Sequence, residues 1–174
     1  QSLRLTPASF TGQRVLDFPC GSGYAAELLA NQQIQYEGRD ANEYAIQYAR
    51  CLFGAHGQFF SDDLADPCLE PEYYDVIACI EGLEHIDREA QDRLVPSFAR
   101  ALKPGGVLVI SSPLTTSCRS GPNPKNPFHR HELTQFDFME LLQHSRTFHS
   151  SEIQRLTVTE RLDDGQMHTC LYAI

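Results

Sequence analysis

The hydrophobic residues of the chain fall into two alternating patterns. Short apolar runs bounded by turn-forming residues are typical of buried β-strands, whereas apolar residues that recur every three or four positions are typical of one face of an α-helix. The first pattern predicts strands over residues 14–18, 34–38, 58–60, 74–80 and 107–111. The second predicts helices over residues 24–31, 42–53 and 87–102. This alternation favours a parallel sheet with right-handed crossovers and helices on both faces.

The pattern changes after residue 111. Residues 113–127 contain four prolines and predict a loop, and residues 133–145 predict a helix with Thr134 as its cap. Residues 153–159 and 168–174 predict a terminal hairpin. We therefore expect an α/β, Rossmann-like sheet of seven strands, mostly parallel, with an antiparallel last strand. No linker interrupts the pattern, so residues 1–174 are predicted to form a single domain.

Composition narrows the class of partner. The chain has 174 residues and a formal net charge of −9, and its nearest approach to a basic patch is Arg119, Lys125 and Arg130, spread over one loop. The excess of acidic over basic residues favours a small-molecule substrate over nucleic acid. No apolar run reaches the roughly 20 residues of a membrane span, and the six cysteines contain no C-x-x-C pair. We expect a cytoplasmic protein without membrane contact, whose oligomeric state the sequence does not define.

A glycine-rich turn follows the first predicted strand. Gly21 and Gly23 end the segment VLDFPCGSG at residues 15–23, where glycine lets the backbone approach a ligand and the next helix N-terminus attracts an anionic group. Asp40 lies seventeen residues beyond Gly23, at the end of the second strand. A carboxylate there accepts hydrogen bonds from ribose hydroxyls or, alternatively, caps the following helix. Residues 21–26 also match the dinucleotide pattern G-x-G-x-x-A, which leaves a nicotinamide cofactor open at this point.

Three later segments distinguish between these cofactors. DDL at residues 62–64 follows the third strand, EGLEH at residues 81–85 follows the fourth, and LKPGG at residues 102–106 precedes the fifth. In this order and spacing, the set resembles the class I S-adenosylmethionine-dependent methyltransferases over nearly the whole chain. Within that family, bacterial small-molecule and sugar O-methyltransferases are the members that it resembles.

The resemblance implies how S-adenosyl-L-methionine is held. The stretch from Asp17 to Gly23 corresponds to the loop around the methionine part of the cofactor. Asp40 corresponds to the acid that binds the ribose, and Asp63 with the Leu64 amide to the adenine contact. The full set of implied cofactor contacts is Asp17, Cys20, Gly21, Gly23, Asp40, Ala41, Asp63, Leu64, Ile80 and Glu81.

One position departs from the family pattern. Pro19 stands where the family usually has the first glycine of its cofactor loop. Proline has no amide hydrogen and fixes φ, so any hydrogen bond that the family makes from that amide is absent here. Gly21 and Gly23 are then expected to provide the close approach to the cofactor.

The resemblance also implies a catalytic role for His85, because the loop after the fourth strand borders the methyl group in this family. An oxygen acceptor must lose a proton, so His85 is the predicted general base; a histidine that only holds the loop through a backbone carbonyl is the alternative. If residues 81–85 form a helical turn, Glu81, Glu84 and His85 share one face of it. These three residues are the candidate ligands for a divalent ion, with His129, or else His131, as the fourth. They resemble the sites of the ubiquinone-pathway O-methyltransferases and the small-RNA 3′-terminal 2′-O-methyltransferases, although many relatives with this glutamate–histidine pair use no metal.

The acceptor is indicated only loosely. NPFHRHELT at residues 126–134 resembles the stretch before the substrate-side helix in bacterial methyltransferases of sugar and cell-surface polymer synthesis. We therefore predict O-methylation of a small polar metabolite or glycan precursor, with S-adenosyl-L-homocysteine as the product. One alternative is a metal-assisted RNA 2′-O-methyltransferase, which the acidic charge opposes. The other is a non-catalytic domain that binds S-adenosylmethionine or S-adenosylhomocysteine, which the departure at Pro19 favours.

Overall fold

The computed structural model describes residues 12–30, 33–115, 117–144, 160–161, 167–168 and 170–173. Within these ranges, the strands are β1 (Arg14–Asp17), β2 (Gln35–Asp40), β3 (Gln58–Ser61), β4 (Tyr74–Ile80), β5 (Leu102–Pro113), β6 (Glu160–Arg161), β7 (Met167–His168) and β8 (Cys170–Ala173). Six of these described strands form one sheet in the order β3-β2-β1-β4-β5-β8, and β6 and β7 pair separately. The helices are α1 (Ala25–Leu29), α2 (Glu43–Phe53), α3 (Arg88–Ala101) and α4 (Gln135–His144), with a 3₁₀ turn at Leu83–His85.

The order of the sheet reverses at β1. This strand pairs in parallel with both β2 and β4, so that Val15 lies opposite Tyr36 on one side and Val76 on the other. β3 and β5 continue the two halves, again in parallel. In α/β folds the ligand crevice opens where the strand order reverses, outside the carboxyl ends of the strands. The topology therefore places the crevice beside the ends of β1, β2 and β4.

Buried side chains form two clusters on opposite faces of the sheet. The larger cluster includes Leu16 and joins β1, β4 and β5 to α3 and α4. The smaller includes Tyr36 and Phe59 and joins β2 and β3 to α1 and α2. Because successive strand residues point to opposite faces, each strand contributes to one cluster and leaves its alternate residues to the other face. Helices therefore cover both faces, as the alternating pattern predicts.

The longer helices begin at polar caps close to their predicted starts. The side chain of Asn42 accepts hydrogen bonds from the amides of Tyr44 and Ala45 at the start of α2. Asp87 accepts from the amide of Ala90 at the start of α3, and Thr134 caps α4 in the same way. No helix in the described part of the chain is long and apolar enough to cross a bilayer.

The prediction that the fifth strand begins at residue 107 is wrong, because β5 begins at Leu102. Leu102 pairs with Tyr74, and the register then shifts before Val76 pairs with Val107. The LKPGG segment lies within this irregularity, and Gly105 adopts φ +79° there. Glycine reaches this left-handed region without the steric cost that a side chain adds. The segment therefore ends α3 as predicted, but it already belongs to the strand as a bulge.

The main sheet has six described strands, and the prediction of seven is wrong. β1 to β5 run parallel, and β8 pairs antiparallel with β5, with Ile110 opposite Ala173. Residues 153–159, the first arm of the predicted hairpin, lie outside the described residues. The next described segment, β6, pairs with β7 in a separate two-stranded sheet. β6 therefore does not add a seventh strand to the main sheet.

Candidate functional site

A cavity of about 970 Å³ opens at the carboxyl ends of β1, β2 and β4. Nine of the ten predicted cofactor contacts line it together with His85, and these lining residues are Asp17, Cys20, Gly21, Asp40, Ala41, Asp63, Leu64, Ile80, Glu81 and His85. The tenth, Gly23, lies behind the turn against Ala49 and Phe59. Residues that are far apart in sequence therefore border one space of a size typical for small-molecule sites.

The two glycines of the turn serve different purposes. Gly21 adopts φ +53° and has no heavy atom within 4 Å of the place where a Cβ would stand. Gly23 adopts φ +79°, and a Cβ there would lie 2.6 Å from Phe59 and 2.7 Å from Ala49. Gly21 therefore leaves its backbone open to the cavity, whereas Gly23 lets the turn pack directly onto α2 and β3.

Asp40 holds the glycine turn against the end of β2. Its Oδ2 accepts a hydrogen bond from the Gly21 amide at 2.8 Å, and its Oδ1 accepts one from the Asn42 amide at 2.8 Å. Asn42, and not Asp40, provides the side-chain cap of α2. Each carboxylate oxygen keeps further acceptor capacity, so Asp40 remains free to accept hydrogen bonds from a ligand.

Asp17 is buried beside the same cavity. Burial raises the pKa of Asp17 to about 6, although the hydrogen bond from the Tyr36 hydroxyl at 2.5 Å acts in the opposite direction. Burial likewise raises the pKa of the Cys20 thiol to about 12, with the Asp17 and Asp40 charges adding to the effect. Cys20 is therefore a protonated packing residue of the cavity wall, whereas Asp17 changes its charge close to neutral pH.

The adjacent carboxylates Asp62 and Asp63 have separate roles. The Oδ2 of Asp62 pairs with Arg39 at 2.6 Å, and its Oδ1 accepts from the Asp63 amide. Asp63 accepts from the Ala65 amide and is the member of the pair that lines the cavity. Asp63 is thus the member of the pair that borders the cavity, whereas Asp62 forms an ion pair with Arg39.

Pro19 packs against the turn that follows β4. A Cβ on Gly82 would lie 2.8 Å from the Cγ of Pro19 and closer still to its Cδ. The φ of Gly82 is −122°, so the backbone does not require glycine at this position. Glycine is required at position 82 because the proline ring occupies the space that a side chain would need. The departure from the family at Pro19 is therefore matched by a glycine sixty-three positions away, a contact that the sequence does not reveal.

Glu81 is anchored to β5. It adopts φ +51°, and its amide donates to both the carbonyl oxygen and the Oγ of Ser111. The hydroxyl of Ser111 in turn donates to Glu81 Oε1 at 2.8 Å. Glu81 is thereby separated from the other candidate metal ligands, although it still lines the cavity.

Glu84, His85 and His129 come together beside the cavity. One candidate ligand atom from each lies within 4.8 Å of the other two. Glu84 is almost completely buried, and burial raises its pKa to about 8. His85 Nε2 lies 3.8 Å from Glu84 Oε1, and the two imidazole rings meet edge to face with centroids 5.2 Å apart. Three of the four predicted ligands therefore form one cluster.

Hydrogen bonds fix the tautomers of both histidines. His85 Nδ1 lies 3.1 Å from the Phe128 carbonyl oxygen, which only accepts, so Nδ1 carries the proton and Nε2 keeps its lone pair. His129 Nδ1 lies 2.6 Å from Glu132 Oε1, and an ionised carboxylate imposes the same tautomer. Glu132 is a site residue that sequence reasoning missed, although the spacing His129-x-x-Glu132 was available as a signal.

Comparisons with known proteins identify the family. The sequence matches the family described as Methyltransferase domain over residues 2–158. It is 33% identical over 137 residues to a probable S-adenosylmethionine-dependent methyltransferase of Mycolicibacterium smegmatis, covering 76% of this chain and 51% of that protein. It is 33% identical over 111 residues to a ubiquinone biosynthesis O-methyltransferase of Thiobacillus denitrificans, covering 62% and 47%.

A solved structure of an S-adenosylmethionine-dependent methyltransferase from Mesorhizobium loti shares the fold. Its TM-score is 0.73 at 17% identity, and the match covers 94% of this chain and 91% of that one. The chain belongs to the methyltransferase-domain family of the class I, S-adenosylmethionine-dependent type. It spans about half the length of the curated relatives it matches.

Proposed function

We propose that this domain binds S-adenosyl-L-methionine and transfers its methyl group to an oxygen of a small polar acceptor, a metabolite or a glycan precursor. The main observation that supports the proposal is the cavity. Its lining includes Asp17, Gly21, Asp40 and Asp63 together with His85. Methyl transfer from a sulfonium needs mainly proximity and alignment, since the leaving group is already activated. A shared cavity is the arrangement that such alignment requires.

His85 is the proposed general base of this reaction. Its Nδ1–H is donated to the Phe128 carbonyl, so the lone pair of Nε2 is available for the proton of the acceptor hydroxyl. As the acceptor oxygen bonds to the methyl carbon, the carbon–sulfur bond breaks and S-adenosyl-L-homocysteine leaves. The proton of the hydroxyl passes to Nε2.

The acceptor class rests on the residues around the mouth of the cavity. Phe128, from the loop that resembles sugar-modifying methyltransferases, lines the cavity and is 74% exposed, so it offers an apolar face to an acceptor. A net charge of −9 opposes a nucleic-acid substrate. We also propose a cytoplasmic location, which suits the free thiols of Cys20, Cys51, Cys68, Cys79 and Cys118.

Binding of S-adenosylhomocysteine, measured by calorimetry, tests the cofactor assignment. We expect the wild-type domain to bind it, and Asp40→Ala to weaken binding by about 1–3 kcal/mol, because charge-assisted hydrogen bonds are lost. Asp66→Ala is the matched control, since it removes the same charge at an exposed residue outside the cavity lining. Tighter binding of NAD than of S-adenosylhomocysteine contradicts the proposal.

Binding of the same ligand is expected to depend on pH through Asp17. Because the pKa of Asp17 is about 6, its carboxylate becomes ionised as the pH rises through that value. If the ligand ammonium pairs with the ionised form, affinity rises by about tenfold between pH 5 and pH 7. Asp17→Asn removes the titrating group and is expected to give weaker binding that is flat over this range. A wild-type profile that is also flat contradicts the assignment of Asp17 as a cofactor contact.

Metal-assisted methylation is the second candidate, and the cluster of Glu84, His85 and His129 favours it. Two imidazoles and a carboxylate are a donor set that binds divalent ions. Held there, an ion would supply positive charge that stabilises a developing alkoxide. Chelation separates the two candidates. Activity that survives EDTA supports a base acting alone, whereas activity that is lost and then restored by Mn²⁺ or Mg²⁺ supports the metal.

A further inference from the structure

We propose that Glu132, held in place by Asn123, is a positioning residue for a divalent-cation site formed by Glu84, His85 and His129. The inference rests on the metal-assisted form of the proposed function. It concerns a residue outside the ligand cluster, whose carboxylate determines which nitrogen of His129 faces a bound ion.

The contact between Glu132 and His129 directs the imidazole. His129 Nδ1 lies 2.6 Å from Glu132 Oε1, and both side chains are about nine-tenths buried. Because the carboxylate accepts a hydrogen bond from Nδ1–H, the proton stays on Nδ1 and the lone pair lies on Nε2. Nε2 is then the only atom of the ring that can serve as a ligand. Metal-binding histidines commonly donate their other ring N–H to a carboxylate, which fixes the ring and increases its basicity.

Glu132 is itself fixed from two sides. The side-chain amide of Asn123 donates to the same Oε1 at 2.6 Å. The backbone of Glu132 exchanges two hydrogen bonds with Gly121, at 2.8 and 3.0 Å. The carboxylate therefore cannot turn away from His129 without breaking its contact with Asn123, and the paired backbone fixes the point from which the side chain extends.

The loop that carries His129 is held against the turn that carries Glu84 and His85. The His131 amide donates to the Glu84 carbonyl at 3.1 Å. The side chain of Gln91 is fully buried and donates to the carbonyls of Leu83 and His131, at 2.9 and 2.8 Å. These contacts join two segments that are far apart in sequence. These contacts thus fix the relative positions of the segments that carry the candidate ligands, and the contact with Glu132 fixes the orientation of the His129 ring.

Direct binding of Mn²⁺ tests the inference without reference to activity. The free-ion signal in electron paramagnetic resonance measures how much Mn²⁺ the purified domain removes from solution. We expect Glu132→Ala to weaken binding by about 10–100-fold, the usual effect of losing an outer-shell partner. Glu132→Gln is expected to weaken it less, because the amide oxygen still accepts from His129 Nδ1. Asn123→Ala is expected to act in the same direction as Glu132→Gln, and Glu89→Gln, an exposed glutamate of α3, is expected to bind as wild type does.

Three results would overturn the inference. They are absence of stoichiometric Mn²⁺ binding by the wild-type domain, equal affinity of wild type and Glu132→Ala, and equal weakening by Glu132→Gln and Glu132→Ala. Thermal unfolding and S-adenosylhomocysteine calorimetry on each variant identify any that fail to fold, in which case Asn123→Ala decides. Intact S-adenosylhomocysteine binding by a wild-type domain that ignores Mn²⁺ rejects this inference and leaves the proposed methyl transfer standing.

Discussion

Replacing His85 with alanine is expected to lower the rate of methyl transfer by about 10²–10⁴-fold, the usual share of acid–base catalysis. The expectation follows from a ring whose Nδ1–H is committed to the Phe128 carbonyl and whose Nε2 is left with a lone pair beside the cavity. Single-turnover rates with saturating S-adenosylmethionine measure the effect apart from cofactor binding. The acceptor for this assay is identified beforehand, by trial methylation of a metabolite extract with radiolabelled cofactor.

His56 provides the matched control for this experiment. It is an exposed histidine that lines a separate groove with Arg14, Gln35 and Gly57, so His56→Ala is expected to leave the rate unchanged. The base and the metal forms of the mechanism both require His85, and the response to EDTA distinguishes them. An unchanged rate in His85→Ala, with or without added Mn²⁺, contradicts both forms and leaves alignment as the only catalytic device.

Gly23→Ala is expected to destabilise the domain by about 2–4 kcal/mol, because two costs act together. The new Cβ would stand 2.6 Å from Phe59 and 2.7 Å from Ala49, in a packed cluster, and the backbone would keep φ +79°. Urea unfolding followed by circular dichroism measures the change. Cofactor binding is expected to be lost with it, because the turn cannot stay against α2 once the residues separate.

Gly21→Ala separates the two costs. Its φ of +53° is also left-handed, but nothing lies within 4 Å of the added Cβ. Only the backbone cost applies, about 1 kcal/mol. The difference between the two variants therefore measures the packing contribution at Gly23. Equal destabilisation of both would show that the close contact with Phe59 and Ala49 relaxes freely, and this would contradict the packing argument.

Periodicity predicted the elements that surround the site, because each depends on nearby residues. The bounds of β4 were predicted as observed, and α3 was predicted to within one residue at each end, since Asp87 caps it locally. The start of β5 was not, because the pairing of Leu102 with Tyr74 is a long-range contact that overrides the turn chemistry of LKPGG. The prediction of seven strands was also wrong, since periodicity identifies a strand without identifying its partner, and β6 pairs with β7 outside the main sheet.

The sequence likewise predicted part of the candidate site and missed the rest. The family resemblance implied that Asp17, Asp40 and Asp63 contact one ligand, and all three line one cavity, because the ends of neighbouring parallel strands must meet at one edge of the sheet. The resemblance pointed to Asp63 and not to Asp62, but it did not predict that Asp62 forms an ion pair with Arg39. It also missed Glu132, a loop carboxylate whose role depends entirely on the ring of His129.

The packing of Pro19 on Gly82 has a consequence for how this chain can change over generations. The proline ring and a side chain at position 82 compete for one volume, so the two positions cannot vary independently. A lineage that acquires a side chain at 82 while proline remains at 19 passes through a clash, whereas one that first acquires glycine at 19 opens the space. The two positions should therefore show sign epistasis, with only one order of substitution accessible. As long as proline stands at position 19, glycine is required at position 82, even though the two residues lie on different loops of the cofactor cavity.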